Sequence, residues 1–493
     1  MNGKNRLIIT TTIMLVAIIE VLDSTIVNVS LPHMMSSLGA NAEQITWVLT
    51  SYVVSSAVAM PLTGLMVERV GQRMLLIIVI SGFLIASMLS GMTISLWQMV
   101  SCRIMQGIFG AGLVPLSQYI LRDIYSQDEQ GKAMAIWGIG IMVAPVLGPT
   151  LGGYITEYAS WRWIFYINVP VCLISLLLTF IYIPETERNK RYIDWLGLIL
   201  MGAGVACLQV FLDRGNQSSW FDSNFITLLC LGAISLLIIF IYRALHKQNN
   251  IIHIRLFKNR NFALCTIMLA IYAGAMFSAL VLQPIMLEHL MNYPVSLTGL
   301  VMAPRGIASA IGMMLAPTLM KRVNAKALLL LGLFMSAYGT LLMANYNLYV
   351  DIAHIVWPSI IQGFGMGLFF VPISVYAFTT LPKDATAESS GLFSFFRMLG
   401  ASIGISVFST ITTRETQVNW NRLGGHISKL NPNLKLWLQA HHLTLHNPLA
   451  IQELGQELGK QASMLGFVDS YYAITIAFFL MLPFIFLIKM RNI

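Results

Sequence analysis

Two carboxylates, Glu20 and Asp23, lie three residues apart inside an apolar stretch at 7–31. That spacing puts both on one face of a helix. In an apolar surround an ionised carboxylate is costly, so it marks a functional position unless a cation neutralises it. A buried carboxylate pair suits the loading and unloading of a proton near neutral pH. The competing reading is a structural ion pair, with Arg103, itself inside an apolar stretch, as the natural partner. Proton coupling is therefore expected at Asp23 and Glu20, with Arg103 as the cation that exchanges partners. Asp213, followed by Arg214 at the end of a later apolar stretch, is either a further proton-coupling group or an interfacial residue. Arg305 and Arg397 are the other cations within apolar stretches, and each either holds a carboxylate or lines a substrate cavity. Asn28, Gln106 and Gln362 are expected to line the same cavity.

Only membrane-spanning helices can position such groups in this chain. Of its 493 residues, 57% are hydrophobic and 10% charged, and the mean hydropathy is +0.73. An average soluble domain carries roughly a quarter charged residues. The balance excludes an ordinary cytosolic enzyme, a disulfide-rich secreted domain and a disordered chain. A bilayer core takes about 20 apolar residues per helix. Fourteen runs reach that length, near 7–31, 45–66, 74–94, 97–121, 133–156, 163–183, 195–213, 225–243, 262–287, 297–320, 326–346, 352–380, 389–413 and 467–489. They lack the short alternating pattern of barrel strands, so an all-α membrane protein is expected. The first run is too long for a signal-peptide core and reads as the first span.

With a cytoplasmic N-terminus, 20 of the 30 Lys and Arg residues fall in cytoplasmic segments, among them Arg69, Arg73, Arg122, Lys132, Arg188, Lys190, Arg191, Lys247, Lys321, Arg322, Lys383, Lys489 and Arg491. The short outer loops hold only Arg162 and Arg214. Both termini are therefore expected in the cytoplasm. The net charge of +9 is then a topology signal toward membrane lipid, and nucleic acid is not an expected partner. Cys102, Cys172, Cys207, Cys230 and Cys265 sit in apolar runs without CxxC spacing and read as small buried hydrophobes.

Three local patterns suggest moving parts. At 64–73, a tight cytoplasmic loop has Gly64 and a turn at Gly71, with Glu68 placed to cap a helix start and Arg73 to pair with Asp123 as a latch, or is a solvated loop whose charges only set topology. The fifth span carries Pro145, Gly148, Pro149, Gly152 and Gly153, a composition suited to a kinked, closely packed helix acting as hinge or gate seal, or to packing alone. The third is the outer segment at 414–466, long and polar, with helical character at 434–442 and 448–465. It holds His426, His441, His442 and His446, yet no carboxylate or cysteine completes a metal site, so no metal is expected. No P-loop, HExxH or GxSxG motif occurs, and no enzyme activity or cofactor is expected.

An internal repeat runs through the chain. Residues 64–73 match 317–326 at offset 253, Gln106-Gly107 matches Gln362-Gly363 at 256, and Leu31-Pro32 resembles Gln283-Pro284 at 252. The first six spans would then correspond to the last six, with two inserted between. Repeated halves place a transporter's substrate site at midplane.

Taken together these residues resemble the major facilitator superfamily, and specifically its EmrB/QacA-type fourteen-span drug:proton antiporters. The segment 21–32 is similar to that family's first-span signature, 64–73 to the superfamily loop motif, 103–112 to the fourth-span motif and 138–153 to the antiporter motif of exporters. Trp161 to Pro170, Leu212-Asp213-Arg214-Gly215 and Trp357-Pro358 add to the likeness. It implies the major facilitator fold: six-helix bundles at 1–190 and 261–493, with two inserted helices at 191–260. It implies proton-driven multidrug efflux of amphipathic compounds from a bacterial inner membrane, without a cofactor beyond the proton gradient. As partners it implies a periplasmic adaptor of the EmrA kind and an outer-membrane channel like TolC. Two positions depart from the pattern: Glu20 where an uncharged residue is usual, and Lys321 in place of the acid of the second loop motif. The alternatives are a dedicated exporter of a fatty acid or siderophore, and a symporter.

Overall fold

The computed structural model describes residues 3–186, 194–246, 254–382, 385–427, 431–440 and 448–488. Among these there is no strand, and the helices in chain order are α1 (Asn5–Ser37), α2 (Trp47–Val70), α3 (Gln72–Met92), α4 (Leu96–Ile124), α5 (Gln130–Tyr158), α6 (Trp163–Tyr182), α7 (Trp195–Arg214), α8 (Asn224–His246), α9 (Arg260–Leu290), α10 (Ser296–Met320), α11 (Ala325–Met343), α12 (Ile352–Tyr376), α13 (Thr386–Gly424), α14 (Pro432–Ala440) and α15 (Ala450–Leu487). Thirteen are long and apolar enough to cross a membrane. The fourteenth is α5, a pair at Gln130–Pro145 and Thr150–Tyr158 bent by 44°. Pro145 and Pro149 each remove a backbone donor there, which is how a helix kinks. The all-helical membrane fold with up to fourteen spans is thus as expected from the hydropathy pattern.

Helix packing repeats. In the first part α1 packs on α5 and α6, α2 on α4, and α3 on both α4 and α6. In the second part α9 packs on α13 and α15, α10 on α12, and α11 on both α12 and α15. The same pairs recur in the same order, with α7 and α8 between the two sets. The two sets meet along α5 and α10. Gly131 faces Pro317 near one end, Gly138 faces Met313 further in, and Gly299 faces Thr150 near the other end. At the end carrying the basic loops, the close of α2 and α4 also packs on the first turns of α13.

Local capping follows ordinary chemistry. Asn259 and Asp351 accept first-turn N–H groups at the starts of α9 and α12, and Asn324 does so at α11. Gly71, at φ 87°, ends α2 and starts α3 in a conformation that a side chain would strain. Glu68 lies in the last turn of α2, so it does not cap a helix start as expected. The residue at that cap is Gly71, which has no side chain.

The polar segment at 414–466 is more regular than its composition suggested. The thirteenth span does not stop near 413. It runs on as one helix to Gly424, and α14 and the start of α15 fill the helical stretches anticipated. Leu434 and Leu438 of α14 pack on Ala450, which closes this extension on itself. His441, His442 and His446, and the basic residues Arg188, Lys190, Arg191, Lys247, Lys383, Lys489 and Arg491, lie outside the described residues, as does the expected boundary at 190.

Candidate functional site

Asp23 sits in the middle of α1 with its side chain fully buried, as is that of Arg103 on α4. Arg103 and Gln106 are three residues apart on one helix face, so both reach α1. Arg103 Nη1 donates to Asp23 Oδ2 at 2.6 Å, and Gln106 Nε2 donates to Oδ1 at 2.8 Å. Asn168 Nδ2, on α6, adds a third donor to Oδ1 at 3.0 Å. The shell is itself cross-braced. Arg103 Nη1 donates to Gln106 Oε1 at 2.7 Å, and both amides donate to Ser87 Oγ on α3, at 2.8 and 3.2 Å. Arg103 Nε donates to the Val48 carbonyl at 3.2 Å, and the guanidinium lies 4.2 Å from the Tyr52 ring centre. Gly107 permits this: a Cβ there would collide with Ser55 and with the Tyr52 carbonyl, so α4 lies hard against α2. The charge on Asp23 is thus met by three donors, all from the first half. Breaking such a pair by removing one partner costs about 3–5 kcal/mol.

Glu20, one turn back on α1 and also buried, faces a different set. Its electrostatic neighbours are Arg397 of α13, Asp23 and Tyr52. Arg397 comes from the other half of the molecule, and the two side chains form no ion pair within 4.0 Å. The two carboxylates that the sequence grouped together therefore differ. Asp23 is tied within one half, while Glu20 looks across to the other.

A small, partly open pocket lies where α5 of the first half meets α9, α10 and α12 of the second. Pro145 of α5 forms the first half's side. Met276, Phe277 and Leu280 of α9, Arg305, Gly306 and Ser309 of α10, and Met366 of α12 form the rest. Of the five residues expected in a cavity, only Arg305 is in this wall. Gln106 belongs to the Asp23 shell instead, because its amide both donates to the carboxylate and accepts from Arg103. Gln362 is fully buried between α11 and α12, where its Nε2 donates to Thr340 at 2.7 Å. Asn28 is exposed, and Arg397 lies near Glu20.

Other expectations also move. Asp213 is exposed at the end of α7 and accepts a hydrogen bond from Thr50 of α2, across that helix from the Arg103 contacts. It is therefore apart from the Asp23 shell. Arg73 does not make the expected contact with Asp123. It donates to the Phe180 carbonyl of α6 and lies 5.0 Å from that ring. Gly64 does bring the halves together, since a Cβ there would strike the Glu388 backbone of α13. In α5, Gly148 and Gly152 fit against Thr25 and Ile26 of α1, within the first half, while Gly153 is half-buried.

Sequence reasoning missed Asn168, Ser87, Tyr52 and Arg122. The first three are uncharged and carry no mark in a span; only helix-face geometry identifies them. Arg122 was read as a topology charge. It is buried at the end of α4, donates to the Ser374 carbonyl of α12 at 2.9 Å and lies 3.4 Å from the Phe378 ring centre, joining the halves. Among the described residues no three His, Cys, Asp or Glu side chains cluster as a metal site.

The Major Facilitator Superfamily model matches residues 13–405. The multidrug export protein EmrB of Escherichia coli (strain K12) is 32% identical over 493 residues, covering 99% of this chain and 96% of that protein. The fatty acid resistance protein FarB of Neisseria gonorrhoeae is 33% identical over 486 residues, covering 98% and 96%. Among solved structures, the proton:xylose symporter XylE superposes with a TM-score of 0.62 at 15% identity, covering 97% of this chain and 95% of that one. This last likeness is one of fold.

Proposed function

The chain belongs to the major facilitator superfamily, and from there we propose that it is a proton-coupled exporter of amphipathic compounds in a bacterial inner membrane, working by alternating access. The observation that carries this reading is the split pair on α1: Asp23 saturated by Arg103, Gln106 and Asn168, and Glu20 facing Arg397 of the opposite half. Rocking of one half against the other changes the Glu20–Arg397 separation directly. A carboxylate whose counter-charge moves takes up a proton when the cation recedes and releases it when the cation returns. Asp23 exchanges its proton when Arg103 leaves it for the Tyr52 ring or the Val48 carbonyl, both already in contact with the guanidinium.

Names of near-full-length relatives support the cargo class, one being a multidrug export protein and another a fatty acid resistance protein. The helical extension of α13, α14 and α15 beyond the span is a surface on which a periplasmic adaptor would dock, leading to an outer-membrane channel in a tripartite pump. The basic loops would face the cytoplasm, with both termini.

The test is transport in proteoliposomes under an imposed pH gradient. Asp23→Asn and Glu20→Gln are each expected to lower gradient-driven export by about tenfold or more while cargo still binds. Full gradient-driven export by Asp23→Asn sinks the assignment. A second reading, a dedicated fatty acid exporter, is favoured by the FarB match, and a cargo panel showing export of fatty acids alone would select it.

A further inference from the structure

Two arginines buried within the spans, Arg103 and Arg305, meet different partners. In the first half Arg103 meets a carboxylate. In the second, Arg305 of α10 is just as deeply buried, at 2% exposure, and no carboxylate meets it. Its contacts among the described residues are the Gln283 side-chain oxygen, to which Nη2 donates, and the Met343 sulfur at 4.0 Å. Nε and Nη1 donate to nothing among the described residues. The hydroxyl of Tyr471, within electrostatic reach of Arg305, also has no hydrogen-bond partner. Arg397, by contrast, has Glu20 as a nearby compensating charge.

A permanently charged guanidinium with two unused donors is costly in such a place unless something anionic visits it. Arg305 also lies in the wall of the cavity between the halves, next to Met276, Phe277, Leu280 and Met366. Apolar surface beside an unmatched planar cation is the chemistry that receives a molecule with an anionic head and an apolar tail.

We propose that Arg305 is the headgroup site for anionic amphipathic cargo. Its two free N–H groups bind a carboxylate or sulfonate, and the tail lies along Met276, Phe277, Leu280 and Met366. This rests on the export reading and narrows its substrate class. Ser309, one turn further along α10 and lining the same cavity, is the position from which a protein carboxylate would compete for those donors.

The test uses the full-length protein in nanodiscs of zwitterionic lipid, with octanoate, octyl sulfonate and octyltrimethylammonium as probes. Arg305→Gln is expected to weaken binding of both anions by about tenfold or more and that of the cation by less than about twofold. Arg305→Lys should fall between. Equal weakening of all three probes, or none, overturns the proposal. Should Arg305→Gln fail to fold, Ser309→Glu keeps the arginine and occupies its donors. Loss of anion binding with cation binding kept supports the site, and unchanged anion binding overturns it. Anion binding abolished by adding phosphatidylglycerol to the bilayer assigns the site to a lipid headgroup and overturns the cargo assignment. Anion binding without pH-driven export sinks the exporter reading and leaves the site. Export with no anion binding does the reverse.

Discussion

Asp23 draws its donors from two other helices, and one of them, Asn168, carries no charge to announce it. A carboxylate buried this deeply is sensitive to each donor it loses. Asn168→Leu removes one hydrogen bond from the ion and leaves Ser87 with one amide fewer. We expect a loss of about 1–3 kcal/mol in stability, read as a lower thermal midpoint of the purified protein in detergent. An unchanged midpoint would mean that Arg103 and Gln106 suffice. Asp23 and Arg103 were legible in the sequence because a charge in an apolar run is conspicuous. Gln106 was legible only as a polar group, because sequence spacing gives a helix face and not the neighbour that face meets; packing set it on Asp23.

In α5 the sequence pattern had two readings, hinge or packing, and the structure contains both. The helix bends by 44° at the Pro145–Thr150 break, while Gly148 and Gly152 let it lie against Thr25 and Ile26, just beyond Asp23 on α1. Gly148→Val forces a side chain into Thr25. The expected cost is about 1–3 kcal/mol, with reduced transport because α1 shifts. A variant with wild-type stability and transport would refute the close fit. At the basic-loop end, Arg6 of α1 pairs with Glu129 before α5. The Arg6 guanidinium, helped by the Ser126 hydroxyl, holds the Glu129 carboxyl below its ordinary value of 4.5. A depressed carboxyl stabilises the fold above that ordinary value and loses its contribution as pH falls through the folded value. Glu129→Gln should therefore lower the thermal midpoint slightly at neutral pH and match the native protein only in acid below the depressed folded value. A difference that grows on acidification would contradict the sign.

Between the halves, the basic-loop end is held by Arg122 on the Ser374 carbonyl and by Gly64 against Glu388. Opening that end must break the first contact and part the second. Arg122→Ala should loosen it, so that a cysteine placed at Ser374 reacts with a water-soluble maleimide several-fold faster than in the otherwise native protein. Equal labelling rates would remove Arg122 from the gate. Gly64→Val acts in the same direction, because the added side chain separates α2 from α13, and it should lower transport without abolishing expression.

Hydropathy and charge are properties of each residue, so the sequence alone determined the all-helical membrane class, the number of spans, the duplicated halves and the isolation of a few charges in apolar surroundings. The helical extension beyond the thirteenth span was only partly legible, because polar helices leave a weak signal when they stack on each other. Which charges meet was decided by packing. Asp23 and Arg103 are 80 residues apart in the chain, Glu20 and Arg397 are separated by most of its length, and Arg305 keeps two donors unused. Pairings of this kind depend on distances of a few ångströms across helix interfaces. Those distances are set by where glycines let the helices touch, and no local pattern of residue types encodes them.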